Sequence, residues 1–106
     1  MKLHSVEITD TALADMEEIY NYIVEKLLVP ETAMDQYNRI ADEILTLEAF
    51  PERFKIMESR QECKKELRRM LVDNYSVFFT IRGDQVIVTN VLYSASDIEN
   101  RFYLQL

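Results

Sequence analysis

The spacing of apolar residues changes along this chain, and each change marks a different predicted element. Apolar and polar residues alternate over residues 3–8, which predicts a short β-strand. Two stretches with helical spacing follow, on either side of Pro30, and predict a hairpin of two amphipathic helices. Thr9 and Asp10 are candidate N-caps of the first helix. The apolar positions are Ala12, Met16, Ile19, Tyr20, Ile23 and Leu27, then Ala33, Tyr37, Ile40, Ala41, Ile44 and Leu47.

The second half of the chain is predicted to form strands. Phe50-Pro51 closes the second helix, and strands are expected at about residues 67–72, 75–81 and 86–93. Asp73-Asn74 and Gly83-Asp84 are the turn pairs between them. The run 86–93 is apolar at nearly every position, which is typical of a central strand covered on both faces. Beyond it, the four-residue spacing of apolar positions predicts a short C-terminal helix containing Ile98, Phe102 and Leu106.

This order of elements predicts an α+β fold. We expect one domain over residues 1–106, in which an N-terminal strand precedes a helical hairpin packed on an antiparallel β-sheet meander. No run approaches the roughly 18 apolar residues of a membrane span, and the N-terminus has no apolar signal core. The single cysteine, Cys63, has no partner for an internal disulfide. These features favour a cytoplasmic protein without membrane contact.

Charge is unevenly distributed along the chain. The net charge is −7, which argues against a nucleic-acid binder of the usual basic kind. Residues 1–50 carry 3 basic and 11 acidic side chains, whereas residues 51–82 carry 8 basic and 5 acidic ones. Arg68 and Arg69 lie in this positive third, at the start of a predicted strand. The two arginines are either part of an anion-binding site or, more simply, solvent-exposed charged residues at the edge of a sheet.

Three stretches of the chain follow one another in a recognisable order: VEITDTALADMEEIYNYI, LEAFPERF and LRRMLVDNYSVFFTIRGDQVIVTNVLYSASD. Together they resemble the RelE/ParE superfamily of toxins from type II toxin–antitoxin modules, also called plasmid stabilization proteins. The resemblance spans roughly residues 5–98. It implies a growth-inhibiting prokaryotic toxin that is silenced by a cognate antitoxin. ParE-like members block DNA gyrase, whereas RelE-like members cut mRNA on the ribosome, so both targets are open.

The ribonuclease alternative assigns roles to specific residues. Metal-free cleavage of RNA requires activation of the 2′-hydroxyl, stabilisation of phosphorane charge and protonation of the leaving oxygen. By resemblance, Arg68, Arg69 and Tyr93 are the candidate catalytic residues. Because neighbouring side chains on a strand face opposite sides, one arginine is expected to line the concave face. Lys64 and Lys65 are candidate RNA- or anion-binding residues, and Glu52 or Glu58 is a candidate base.

Departures from the ribonuclease pattern favour a ParE-like protein target. RelE-like enzymes commonly carry a cluster of His, Tyr, Arg or Lys at the end of the last strand. Here only Tyr93 could serve, because it is followed by Ser94-Ala95-Ser96-Asp97 and has no basic neighbour. The only histidine, His4, lies near the N-terminus, outside the family's catalytic positions. A third alternative is an inactive family member that acts as a protein-binding module. Whether the chain is an enzyme is therefore left open.

The remaining expectations concern partners and cofactors. Phe102, Leu104 and Leu106 give the C-terminal segment more apolar surface than a free end needs, so they are candidate partner-binding residues. An acidic toxin is expected to hold its antitoxin through apolar grooves, or to have a more basic partner. Asp15, Glu17 and Glu18 are interpreted as a solvated helix face. Metal-ligand spacings and phosphate loops are absent, so no cofactor is expected.

Overall fold

A computed structural model of the chain describes residues 3–57 and 66–94. Within them the elements follow the predicted order of a strand, two helices and three further strands. Their bounds are β1 Ser5–Ile8, α1 Asp10–Leu27, α2 Pro30–Leu45, β2 Arg68–Val72, β3 Tyr75–Arg82 and β4 Gln85–Tyr93. The predicted C-terminal helix lies outside the described residues.

The helical hairpin is set by its end residues. Thr9 caps α1, because its side-chain oxygen accepts a hydrogen bond from the Ala12 N–H at 3.2 Å. Leu28 ends α1 in the left-handed conformation, with φ 57°. Pro30 occupies the first turn of α2, where its missing N–H costs nothing. The predicted cap and break are therefore confirmed.

The four strands form one mixed sheet in the order β1-β4-β3-β2. The meander β2-β3-β4 is antiparallel, as predicted, and the turn pairs at Asp73 and Gly83 both begin with a positive φ. β1 adds to the other side of β4 in the parallel direction. β4 is therefore a central strand, in agreement with its continuous apolar sequence.

A β-bulge interrupts the pairing of β3 with β4. Phe78 is opposite Asn90 and Phe79 is opposite Val88, so Thr89 is the extra residue on β4. Val88 before the bulge and Val91 after it both belong to the core on the helix side. Side chains beyond Thr89 therefore lie on the opposite face from the one that strict alternation along β4 predicts.

The main core lies between the two helices and one face of the sheet, which we call the helix face. Met16 of α1 and Ile40 and Ile44 of α2 pack there against Val77 and Phe79. β3 contributes alternate residues to this face: Tyr75, Val77, Phe79 and Ile81. The opposite side, which we call the back face, carries a smaller cluster of Leu67, Phe78, Leu92 and Met57.

The link from α2 to the sheet differs from the prediction. The helix ends at Leu45 and not at Phe50, and 3₁₀ turns follow at Thr46–Glu48 and Pro51–Arg53. Phe50 adopts a left-handed conformation, φ 51°, directly before Pro51. A residue before proline is disfavoured in the right-handed helical region, which explains why the chain leaves the helix before this point. β1 is also shorter than predicted and begins at Ser5.

Candidate functional site

The predicted catalytic residues are distributed over both faces of the sheet. Along β2, Met70 and Val72 point into the main core, so Arg68 shares their face and Arg69 has the other. This alternation is the one expected from the sequence. The consequence for chemistry depends on which face Tyr93 occupies.

Arg69 lies on the back face and is exposed. Its Nε donates a hydrogen bond to Ser76 Oγ at 2.9 Å, and Ser76 Oγ lies 2.8 Å from Ser94 Oγ. Ser76 is fully buried and its side chain is held in place by the sheet. The hydrogen bond to Ser76 therefore fixes the orientation of the Arg69 guanidinium. Arg69 is the predicted site residue that presents an exposed cation on the back face.

Arg68 binds the protein's own backbone. Its Nη1 donates to the carbonyl of Phe54 at 2.6 Å and to the carbonyl of Glu52 at 3.2 Å. These carbonyls belong to the turn that joins α2 to the sheet, and Phe54 packs edge-on against Phe79 with ring centroids 5.9 Å apart. Arg68 therefore stabilises the link between helix and sheet at the edge of the core.

Tyr93 lies on the helix face, away from Arg69. It is the cross-strand partner of Tyr75, and the two ring centroids are 5.7 Å apart at an interplanar angle of 63°. Tyr75 packs against the main core, which fixes the face of both rings. The structure thus places Tyr93 and Arg69 on opposite sides of the sheet. Arg68 shares the helix face with Tyr93, but its guanidinium binds the carbonyls of Glu52 and Phe54.

Tyr93 instead lines a cleft between the helical hairpin and the ends of β3 and β4. The cleft has a volume of about 670 Å³. We call it the tyrosine cleft, because Tyr22 of α1, Tyr75 and Tyr93 all contribute to its wall. The pKa of the Tyr75 phenol is raised, first by burial and then by the nearby Tyr93 and Tyr22. Three phenol rings therefore converge in one place.

Asp15 also lines this cleft, and its interpretation as a solvated residue is wrong. It is only 4% exposed. Its Oδ2 accepts hydrogen bonds from the backbone N–H of Val91 at 3.0 Å and from Asn90 Nδ2 at 3.4 Å. Glu17 and Glu18 are exposed, as predicted. The burial of Asp15 could not be predicted from the acidic run on α1, because its hydrogen-bond partners lie 75 and 76 residues further along the chain.

Other predicted residues lie apart from Arg69 or outside the described ranges. The carboxylate of Glu52, a candidate base, lies 3.6 Å from His4 Nε2, and the imidazole is mostly buried. His4 therefore packs beside the link that follows α2, where its backbone N–H also donates to the carbonyl of Glu48 at 2.8 Å. Seven further residues fall outside the described ranges: Glu58, Cys63, Lys64, Lys65, Phe102, Leu104 and Leu106.

Within residues 3–57 and 66–94, no group of three or more His, Cys, Asp or Glu side chains is arranged to hold a metal ion. Neither of the two helices in these ranges is long and apolar enough to cross a membrane.

Comparison with known protein families decides what this fold is. The model of the ParE toxin of the type II toxin–antitoxin system parDE matches residues 6–98, which is most of the chain. The chain belongs to the ParE toxin family. The resemblance read from the sequence is thereby confirmed. None of the curated proteins compared with this ParE-family chain gives a significant match.

Two solved structures share its fold. A chain of the chromosomal ParDE toxin–antitoxin system from P. aeruginosa is 20% identical, with a TM-score of 0.71 over 86% of this chain and 96% of that one. A chain of the RelBE2 toxin–antitoxin complex from Mycobacterium tuberculosis is 15% identical, with a TM-score of 0.60 over 86% and 98%. The predicted α+β toxin fold, with two helices on a four-stranded sheet, is therefore confirmed.

Proposed function

We propose that this ParE-family toxin inhibits growth by binding a protein target, DNA gyrase, and not by cutting RNA. One structural observation favours a protein target over RNA. Arg69 and Tyr93 lie on opposite faces of the sheet, and Arg68 donates to the backbone carbonyls of Glu52 and Phe54. The exposed cation of Arg69 is therefore separated from the Tyr93 phenol, and the Arg68 guanidinium is engaged with the protein's own backbone.

Separation matters because metal-free RNA cleavage requires convergence. The group that stabilises phosphorane charge and the groups that move protons must all lie within hydrogen-bond reach of one phosphodiester. A phosphate held at Arg69 is on the other side of the sheet from the Tyr93 ring. A surface that binds a protein has no such requirement.

A second candidate, a RelE-like ribosome-dependent endoribonuclease, is favoured by one observation. Arg69 is an exposed cation on the back face, oriented by Ser76. Lys64 and Lys65, predicted to bind RNA, precede the same strand in sequence and remain predictions. In this alternative Arg69 is the residue whose loss abolishes activity. The third alternative, an inactive member that only binds a partner, predicts no effect on growth.

A cognate antitoxin is the partner that we propose for this chain. Its fold neighbours come from toxin–antitoxin systems, which supports this partner. Phe102, Leu104 and Leu106 remain the predicted partner-binding residues of the C-terminal segment. These residues could contact the antitoxin or the protein target. If they contact the target, replacing all three with alanine should abolish growth inhibition although Arg69 is intact.

Tightly controlled expression in a bacterial host tests the target. Pulse labelling follows DNA and protein synthesis after induction, for the wild type, for Arg69→Ala and for the control Arg82→Ala. Arg82 is a second exposed arginine, at the far end of β3. We expect DNA synthesis to stop first and both variants to remain toxic. Purified toxin should also inhibit supercoiling by gyrase in vitro.

Other outcomes separate the alternatives. Early loss of protein synthesis, together with a folded but harmless Arg69→Ala variant, would establish the ribonuclease. Continued growth with soluble, folded protein would point to the inactive member. Circular dichroism of each variant separates loss of function from loss of fold.

A further inference from the structure

The tyrosine cleft has no role in the argument that distinguishes a gyrase target from RNA cleavage, so its own function is open. It lies between α1, the first half of α2 and the adjoining ends of β3 and β4, and it holds about 670 Å³. This volume is typical of a site that receives a side chain or a small ligand. Its apolar wall includes Ile19, Ile23 and Val91.

The aromatic part of the cleft exposes ring surface to a ligand. Tyr22 is 58% exposed and Tyr93 is 48% exposed, although large aromatic side chains usually bury most of their area. Tyr75 lines the same cleft, and its ring contacts Tyr93 edge-on. Ring faces of tyrosine attract cations through their quadrupole, and the effect is strongest when water is excluded.

The electrostatic character of the cleft has one sign. Asp15 and Glu18, one helical turn apart on α1, both line it. Asp15 is buried and binds the β4 backbone, whereas Glu18 is exposed at the rim. The other polar residues of the wall are neutral: Thr32, Gln36 and Asn74. Among the described residues that line the cleft there is no Lys, Arg or His.

We propose that the tyrosine cleft binds an arginine side chain of the antitoxin, with an apolar neighbour of that arginine against Ile19 and Ile23. This inference rests on the proposed toxin function. Arginine fits better than lysine because its guanidinium is planar, stacks on aromatic rings and directs five N–H donors to carboxylate, phenol and amide oxygens. Glu18 supplies the carboxylate, and Gln36 and Asn74 supply amide oxygens.

Two small probes test the chemistry of the cleft without an antitoxin. N-acetyl-arginine methylamide carries the guanidinium, and N-acetyl-citrulline methylamide is its neutral analogue of nearly the same shape. Each is titrated into the full chain labelled in its tyrosine rings, at low salt, and binding is followed by NMR. We expect the arginine probe to shift the Tyr22, Tyr75 and Tyr93 signals, and the citrulline probe to bind at least about threefold more weakly.

A matched pair of charge variants locates the binding. Glu18→Gln removes the carboxylate at the rim of the cleft, whereas Glu17→Gln removes the same charge from an exposed neighbour on α1 that does not line it. We expect Glu18→Gln to weaken the arginine probe by about twofold to fivefold and Glu17→Gln to leave it unchanged. Equal effects of the two variants, equal binding of the two probes, or no shift of the tyrosine signals would overturn the proposal.

The partner is tested in the purified complex with the antitoxin. If an antitoxin arginine occupies the cleft, the tyrosine signals of the complex are already shifted and the arginine probe no longer binds. Unchanged probe binding to the complex would show that the antitoxin docks elsewhere. None of these titrations depends on growth inhibition. A harmless chain that binds the probe contradicts the toxin function alone, and a toxic chain that ignores it contradicts the cleft proposal alone.

Discussion

Asp15 Oδ2 accepts a hydrogen bond from the backbone N–H of Val91 at 3.0 Å, and this contact joins the middle of α1 to β4 just after the bulge. An N–H that donates to a carboxylate forms a stronger hydrogen bond than one that donates to a neutral carbonyl. The bulge disturbs the ladder between β3 and β4, and a buried backbone donor beside it needs a partner. Asp15 thus satisfies the backbone and fixes the helix on the sheet.

Replacing this carboxylate should destabilise the domain. In Asp15→Ala, the buried N–H of Val91 loses its acceptor, and we expect the free energy of unfolding to fall by about 2–3 kcal/mol. Urea denaturation followed by circular dichroism measures this loss. Glu17→Ala is the control, because that side chain is exposed, and should cost less than about 0.5 kcal/mol. Similar losses for the two variants would show that the contact contributes little.

The two adjacent arginines should differ in their contribution to stability. Arg68→Ala removes the hydrogen bonds to the carbonyls of Glu52 and Phe54, so we expect a loss of about 1–2 kcal/mol. Arg69→Ala leaves Ser76 Oγ with its contact to Ser94 Oγ, so the loss should stay below about 1 kcal/mol. Urea denaturation of both variants provides the comparison. A larger loss for Arg69→Ala would contradict the assignment of Arg68 as the structural residue.

The left-handed residue at the end of α1 offers a stabilising substitution. Leu28 has φ 57° and is 77% exposed, so its side chain strains the backbone and buries little surface. Leu28→Gly should raise the free energy of unfolding by about 0.5–1 kcal/mol, because glycine adopts this conformation without strain. Thermal unfolding measures the gain. Leu28→Ala keeps the Cβ atom and should give no gain, so equal gains would refute the role of strain.

An exposed ion pair joins α2 to the turn between β2 and β3, and it gives a pH-dependent signal. Arg39 donates two hydrogen bonds to the Asp73 carboxylate, at 2.8 Å and 3.0 Å, and Gln36 donates a third. The hydrogen bond from Arg39, and then that from Gln36, hold the pKa of Asp73 below its ordinary value of 3.8. The stability that this contributes is present above pH 3.8 and is lost as the pH falls through the lower folded-state pKa.

NMR titration of the Asp73 carboxyl carbon measures this pKa directly. We expect Arg39→Ala to raise the pKa of Asp73 toward 3.8, and Gln36→Ala to raise it by a smaller amount. The reverse order would show that the amide, and not the guanidinium, is the main cause. Asp73→Asn should make stability less sensitive to acid in the same pH range.

The sequence predicts the fold well where local patterns decide the structure. Thr9 and Pro30 mark helix starts through their own chemistry, and the turn pairs at Asp73 and Gly83 lie where the hairpins occur. Alternation along β2 also separates Arg68 from Arg69 correctly. These features depend on residues close together in the chain, so a single sequence contains them.

The arrangement of the candidate site is harder to predict, because it depends on a β-bulge at a single residue of β4. Strict alternation from Val86 and Val88 would place Tyr93 on the back face, with Arg69. The bulge at Thr89 reverses the alternation and turns Tyr93 toward α1. Nothing in the local sequence announces Thr89 as an extra residue. The same bulge lies beside the Val91 N–H that binds Asp15. The position of Tyr93 and the burial of Asp15 therefore depend on the same irregularity of β4.

The parallel pairing of β1 with β4 has a consequence for how this domain folds while a ribosome is still synthesising it. Ser5–Ile8 pair with residues 85–88, and Thr9 Oγ1 donates a hydrogen bond to the carbonyl of Val88 at 2.8 Å. β1 has no sheet to join until β4 has been synthesised, and such distant pairing is slow to form. A nascent chain therefore exposes the edge of β1 and the start of α1 until translation passes β4. Folding of the domain is therefore coupled to the synthesis of β4, which leaves an interval in which a partner can meet the chain before the sheet is complete.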